Sequence, residues 1–225
     1  MNQPLVSVII AVKNGERYLP HAMDSVRAQT YENYEVIVVD GQSTDNTERI
    51  ARSYPRTRFL GQSGQGLAAA WNTGLAAAHG ELIAFLDHDD YWPPHKLSLQ
   101  VDYLTRHPEI QFVIGRVKFF LEPGYAVPGG FKRELFEGDH LGRIPGTLMA
   151  RKPLFDEIGG FRTDLVIASD VEWFAQAKDH NVPMAIIPEV LLYKRVHETN
   201  LASDARIGNR ELLAVLRESI KRQQR

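Results

Sequence analysis

LIAFLDHDDYW, residues 82–92, runs through five apolar residues and then releases three aspartates and a histidine within four positions. A short apolar run with no polar alternate face suits a strand buried on both sides, the kind found in a parallel sheet with helices above and below. Carboxylates this close repel one another and tend to hold protons unless a cation sits among them. The stretch therefore predicts a layered α/β fold and a metal site at the carboxyl end of one strand.

Working outward, VSVIIAV (6–12), YEVIVVD (34–40) and TRFLGQ (57–62) read as strands of the same kind. Between them, residues 18–29 and 66–80 have helical spacing, and 43–54 opens on Ser43, Thr44 and Asp45, good N-cap chemistry. The first 90 residues thus predict a βαβαβαβ unit. The second half is less regular. Residues 112–121 read as a strand, and the Gly- and Pro-rich 122–139 as a mobile loop. Residues 145–151 lead into a short helix ended by a glycine turn within 155–161, 169–181 form a further helix, and 185–197 read as paired strands. Ligands of an open parallel sheet sit at the carboxyl ends of its strands. Those ends carry Lys13 and Asn14, then Asp40, then Asp87, His88, Asp89 and Asp90, all directed at one crevice.

The chain has 225 residues, 44% of them hydrophobic, enough for one α/β domain, expected over about residues 1–203 and followed by a C-terminal helix over 204–225. Its 26 basic and 28 acidic residues leave a net charge of −2, so no nucleic-acid partner is expected. Without cysteine there is no disulfide, no thiolate metal site and no cysteine nucleophile. The start, MNQPLVSVII, has no basic leader, and no apolar run approaches the roughly 20 residues of a membrane span. A cytoplasmic protein is the expectation.

VSVIIAVKNGERYL, VIVVDGQSTDNT, GLAAAWNTGLAAAHGELIAFLDHDD, GGFRTDLVIASDVEW and YKRVHETNLAS follow one another from Val6 to about Ser203. In that order they resemble a family 2 glycosyltransferase, one of the inverting, nucleotide-sugar-dependent enzymes of the GT-A fold. The resemblance implies a Rossmann-like α/β domain with a mainly parallel sheet flanked by helices and a smaller acceptor-side region. A nucleotide-sugar half would span about residues 1–110 and an acceptor half about 111–203. It also implies a nucleotide site formed by Ala11, Val12, Asn14, Asp40, Gly66 and Asp87. Asp40 would accept a hydrogen bond from the N–H of a uracil-like base. UDP is the favoured nucleotide, with GDP and dTDP open, and polysaccharide biosynthesis is the setting the family suggests. Asp87-His88-Asp89 corresponds to the D-x-D element, with Asp89 and His197 at a divalent metal, Mn²⁺ or Mg²⁺, that neutralises the leaving diphosphate. His88 is expected to point away as a bystander.

By the same resemblance Asp170 is the catalytic base, taking the proton of the acceptor hydroxyl as it attacks the anomeric carbon. Many relatives have Glu-Asp where this chain has Ser169-Asp170, and the pair also reads as a helix cap, with Glu172 the reserve base. A second departure is Gly41, where relatives often carry an acidic residue. Tyr193, Lys194, Arg195 and Asn200 fit the family's last stretch, and since side chains alternate along a strand, at most one of Lys194 and Arg195 would face the donor phosphate.

Two other readings were weighed. Gly64-x-Gly66-x-x-Ala69, with Asp87 about 20 residues on, matches a dinucleotide fingerprint and would make the protein an NAD-dependent oxidoreductase. A fold that binds nucleotide without transfer is the non-enzyme alternative. The acceptor, a sugar, lipid-linked or other hydroxyl compound, would be held by residues 122–143, by 145–151 and by the helix starting at Asp170. Trp92 and Trp173 read as core. The tail sets Leu212, Leu213, Val215, Leu216 and Ile220 on one helical face, with Arg217, Lys221, Arg222 and Arg225 around it. Such a basic amphipathic helix is a candidate for peripheral contact with the cytoplasmic membrane face or, more commonly, for packing on its own domain or on a second subunit.

Overall fold

The computed structural model describes residues 3–127, 132–197 and 205–224. Val6–Val12 (β1), Tyr34–Asp40 (β2), Thr57–Gly61 (β3) and Leu82–Asp87 (β4) are parallel strands in the order β3-β2-β1-β4. Their continuous apolar character has the cause the sequence suggests, because each face of the sheet has its own core. Val6, Val8, Ile10 and Val12 pack with Leu19, Met23 and Val26 of α1 (Leu19–Arg27) and with Leu97 and Val101 of α4 (Lys96–Arg106). Ile9 and Ala11 face Ala68, Trp71 and Leu75 of α3 (Leu67–Ala77) on the other side. Val8, Ile9 and Ile10 are fully buried, and each contributes about 1.5–3 kcal/mol relative to exposure. Trp92 and Trp173 are core residues, as read from the sequence.

The helix expected over 43–54 is shorter. α2 spans Thr47–Arg52, and only Asp45 of the three expected cap residues serves it, accepting the N–H of Thr47 at 3.0 Å. Ser43 and Thr44 turn instead toward Asn14, where the N–H of Asn14 donates to Ser43 Oγ at 2.7 Å and Asn14 Oδ1 accepts the N–H of Thr44 at 2.9 Å. α4, which the sequence reading left unassigned, begins just after Pro93 and Pro94.

Beyond β4 the sheet changes direction. Phe112–Leu121 (β5) joins it through the three-residue β7 (Met149–Arg151), which is antiparallel to both β4 and β5, and β6 (His140–Leu141) pairs with β5. The segment expected as paired strands is one strand, β8 (Met184–Val196), running parallel to β5. Its register slips between Ile114↔Ile186 and Arg116↔Val190, around Pro188. Proline has no N–H for the ladder, so the strand bulges there instead of turning into a hairpin.

α5 (Lys152–Glu157) and α6 (Ser169–Asp179) lie on the Ile9 face, with Phe155 and Trp173 in its core. The last helix, α7 (Ala205–Gln223), packs on α6, the commoner of the outcomes expected for it. Val215 is buried there, while Leu212, Leu213, Leu216 and Ile220 remain exposed. Arg222 pairs with Asp179 at 2.8 Å and reaches Glu172 at 3.4 Å, so this part of the basic rim is directed inward. Among the described residues no helix is long and apolar enough to cross a membrane.

Candidate active site at the strand ends

The strand order reverses between β1 and β4, which opens a crevice at their carboxyl ends. Register sets its walls: Ala11 pairs with Asp87, and Val12 with Asp40. Past β1 the chain enters the left-handed region at Asn14 (φ 50°), which the hydrogen bonds from residues 43 and 44 hold in place. Gly15 follows, where an added Cβ would lie 2.4 Å from Val12 Cγ2 and 3.0 Å from His88, so only glycine fits this turn. His88 thus lies against Gly15.

Asp40 closes β2. Its Oδ2 accepts the N–H of Ser43 at 3.0 Å, while its Oδ1 is buried without a partner. An orphaned buried acceptor carries a desolvation cost that a ligand donor would remove. At Gly41 an added Cβ would come 3.2 Å from Gln62 Oε1 and 3.3 Å from Lys13 Cβ, so the room for a larger residue is taken. Gly66 (φ 84°) opens α3 after the edge strand β3, and an added Cβ there would meet nothing. A dinucleotide fingerprint belongs on the first βα turn of the sheet, not after an edge strand. The glycine match is therefore a matter of spacing alone.

Carboxylate oxygens of Asp87, Asp89 and Asp90 lie within 4.8 Å of one another. β8 brings the balancing groups. Lys194 Nζ donates to Asp90 Oδ2 at 2.9 Å and to Asp87 Oδ2 at 3.2 Å, the backbone N–H of Arg195 donates to Asp90 Oδ1 at 2.8 Å, and His197 Nε2 lies 3.0 Å from Asp89 Oδ2. Burial acts to raise the Asp89 carboxyl, but the hydrogen bond from His197 and the neighbouring His88 and Lys194 hold it far below the usual carboxylate range. Burial, reinforced by Asp89 and Asp87 and opposed by Lys194, pushes Asp90 upward. Lys194 stays charged, because the three aspartates outweigh its own burial. The donor set is oxygen with one imidazole, which fits Mn²⁺ or Mg²⁺.

Asp170 stands in the first turn of α6, half-buried, with Oδ1 accepting the N–H of Val171 at 2.7 Å. Burial pushes its carboxyl up to about 6, the charge of Asp87 adds to this, and the Val171 N–H and Lys194 oppose it. The charges of Asp87 and Lys194 thus reach Asp170. Glu172, the reserve candidate, is buried on another side of α6, bonded to Gln176 at 2.8 Å and near Arg222. It belongs to the contact with α7.

Lys194 and Arg195 diverge as strand alternation requires, Lys194 toward the carboxylates and Arg195 toward Glu122, His21 (2.8 Å) and the carbonyl of Asp89 (2.9 Å). Glu122 also holds Arg17 at 3.1 Å, and Arg17 donates to the Tyr125 hydroxyl at 2.9 Å, tying the loop after β5 to the turn after β1. The ring of Tyr18 stacks on His197 at 5.0 Å. Of these partners, Arg17, Tyr18, His21 and Tyr125 were not singled out in the sequence. Asn200 and Arg225 lie outside the described residues, as do 128–131 of the expected acceptor loop.

The family profile of Glycosyl transferase family 2 matches residues 7–163. An uncharacterized glycosyltransferase of Rickettsia typhi is 32% identical over 219 residues, 90% of this chain and 67% of the relative. The chain belongs to glycosyltransferase family 2 and is a transferase. Its fold is shared with S. aureus TarS, solved in complex with UDP-GlcNAc (TM-score 0.77, 22% identity, 96% of this chain and 66% of that one). It is shared as well with the mannosyltransferase PcManGT of Pyrobaculum calidifontis, solved in complex with GDP-Man and Mn²⁺ (TM-score 0.72, 24% identity, 98% and 65%). The chain spans about two thirds of the length of each of the three.

Proposed function

We propose that the chain transfers a sugar from a nucleoside-diphosphate sugar to an acceptor hydroxyl by an inverting single displacement. The observation that carries this reading is the Asp87–Asp89–Asp90 cluster, whose Asp87 charge acts on Asp170. Asp40 Oδ1, buried and unpartnered, accepts the N–H of the base, and UDP is the favoured nucleotide because uracil offers that donor. Ala11, Val12 and Asn14 form the floor beside it, with Gly66 across the strand ends. Asp89 and His197 hold a divalent cation, Mn²⁺ or Mg²⁺, with Asp87 beside it. When bound, that cation supplies charge neutralisation to the leaving diphosphate. Asp170 takes the proton of the acceptor hydroxyl on the opposite side of the sugar ring.

Residues 1–110 serve the donor and 111–203 the acceptor. An apolar cavity of about 630 Å³ between β5, α6 and α7, lined in part by Val171, Phe174, Leu212 and Leu216, supports a lipid-linked acceptor and, through the exposed leucines of α7, peripheral contact with a membrane face. Titrating UDP and GDP calorimetrically with and without Mn²⁺, with NAD⁺ as control, tests the donor site. Nucleoside-diphosphate binding that needs Mn²⁺ and disappears in Asp89→Ala is expected. Metal-independent binding of NAD⁺ alone would overturn the reading.

A further inference from the structure

The residue in the N-cap position of α6 is Ala168, which has no side chain to accept a hydrogen bond; inside the helix Asp170 accepts the N–H of Val171, and the N–H groups of residues 166–168, just ahead of the first turn, need another partner. Alanine is among the poorest N-caps, and exposed N–H groups at a helix start call for an acceptor. The acceptor comes from α7. Glu211 Oε1 accepts the N–H of Val166 at 2.8 Å, and its Oε2 accepts those of Ile167 and Ala168, both at 2.9 Å. Burial acts to raise the Glu211 carboxyl, but the three amides outweigh it and keep it below its ordinary value, so it is ionised at neutral pH. A carboxylate at this end of a helix also meets the positive end of the helix dipole.

Asp170 sits two residues past Ala168, in the first turn of α6. Asp170 accepts the N–H of Val171 in this turn, and Glu211 fixes the segment that leads into it, so the place where α6 begins, and with it the place of Asp170, is set from α7. α7 is itself fixed to hold Glu211 there. Ser219, Arg222 and Gln223 each bond Asp179 at 2.8 Å, and Arg162 pairs with Glu218. The family profile ends at residue 163, before Asp170, Glu211 and the amides that Glu211 binds.

We infer that Glu211 is a positioning residue for the transfer reaction: from α7 it caps α6 and holds residues 166–168, and so keeps the Asp170 carboxylate available as base. This rests on Asp170 being the base. It gives α7 a part in catalysis with no contact to substrate.

The test compares wild type, Glu211→Ala, Glu211→Gln and Asp170→Asn in the full chain. The ¹³C shift of the Asp170 carboxyl is titrated in each variant that retains the carboxyl, with Asp87 and Lys194, which face it, unaltered. Release of nucleoside diphosphate from UDP-GlcNAc and GDP-Man, with water as acceptor, is followed alongside. In Glu211→Ala the Asp170 midpoint is expected to fall from about 6 toward 3.8 as the start of α6 loosens and the carboxyl loses the burial that raises it. The kcat is expected to drop by roughly 10²-fold with the donor KM unchanged, a loss of positioning and not of binding. Glu211→Gln, which keeps one acceptor oxygen, should lie between, and guards against an alanine variant that fails to fold. An unchanged Asp170 midpoint in both folded Glu211 variants overturns the inference whether or not either donor turns over. Turnover that survives in Asp170→Asn overturns the base assignment instead, while the carboxyl titration still reports whether Glu211 directs that side chain.

Discussion

Lys194 Nζ lies 2.9 Å from Asp90 Oδ2, on a strand 104 residues later in the chain, and the next backbone N–H occupies the other oxygen of the same carboxylate. Asp90 is 1% exposed, so this pair fastens β8 to the acidic turn without water to share the load. Breaking a buried ion pair by removing one partner costs about 3–5 kcal/mol. Asp90→Ala is expected to lose that much stability in urea unfolding and to bind metal-dependent nucleotide less tightly.

The Asp170 carboxyl, raised from 3.8 to about 6, gives turnover an acid limb. A base must be ionised, so kcat should rise through pH 6 and level off above it. Stability runs the other way. The folded state holds this proton more tightly than the unfolded chain does, so the contribution of Asp170 is fully present below pH 3.8 and is lost as pH rises through about 6. Asp170→Asn keeps an oxygen for the Val171 N–H and carries no charge. It is expected to be at least as heat-stable as wild type at pH 7 and inactive, as differential scanning calorimetry beside a donor-turnover assay would show.

Glu172 separates the two acidic residues of this turn. Its carboxylate is engaged by Gln176 and Arg222, so Glu172→Gln should retain kcat while losing about 1.5–3 kcal/mol of stability, the usual value of a hydrogen bond to a charged group. A kcat loss as large as that of Asp170→Asn would exchange the roles of the two residues.

Gly74 marks the closest approach of α3 to the sheet. An added Cβ there would lie 2.3 Å from Ile9 Cγ2. Alanine gains up to about 1 kcal/mol of helix propensity, but overpacking costs about 1–3 kcal/mol, so Gly74→Ala should lower stability on balance. Combined with Ile9→Ala the two losses should add to less than their sum, since the second change removes the clash.

The strands β1, β2 and β4 were legible to the residue, because burial on both faces leaves them almost wholly apolar, the bonded Ser7 and Glu35 apart, and the apolar run ends where the sheet does. β6 and β7 were not, since strands of two and three residues have no period to read and exist only because β4 and β5 flank them. α4 did carry a signal, Leu97, Val101 and Leu104 at helical spacing, behind two prolines that draw attention to a turn. At the site, the resemblance brought out Asp40, Asp87, Asp89, Asp170 and His197 from their motifs, and the structure gathers the last four around one crevice with Asp40 on its wall. The burial of Asp90 and its pairing with Lys194 were hidden, because nothing local distinguishes a buried aspartate from its neighbours. Glu211 had no signal at all. Its partners are backbone amides more than 40 residues away, and backbone leaves no trace in side-chain pattern.

The placement of Lys194 on β8 also orders the assembly of the protein. The first four strands pair across short crossovers and can form while synthesis continues, but they bring Asp87, Asp89 and Asp90 together with no cation from the chain to offset them. Relief arrives only when β8 docks along β5, more than 100 residues later. The acidic turn is therefore expected to be among the last regions to become native, and a nascent chain that stalls before β8 to carry its first four strands with that turn still unbalanced.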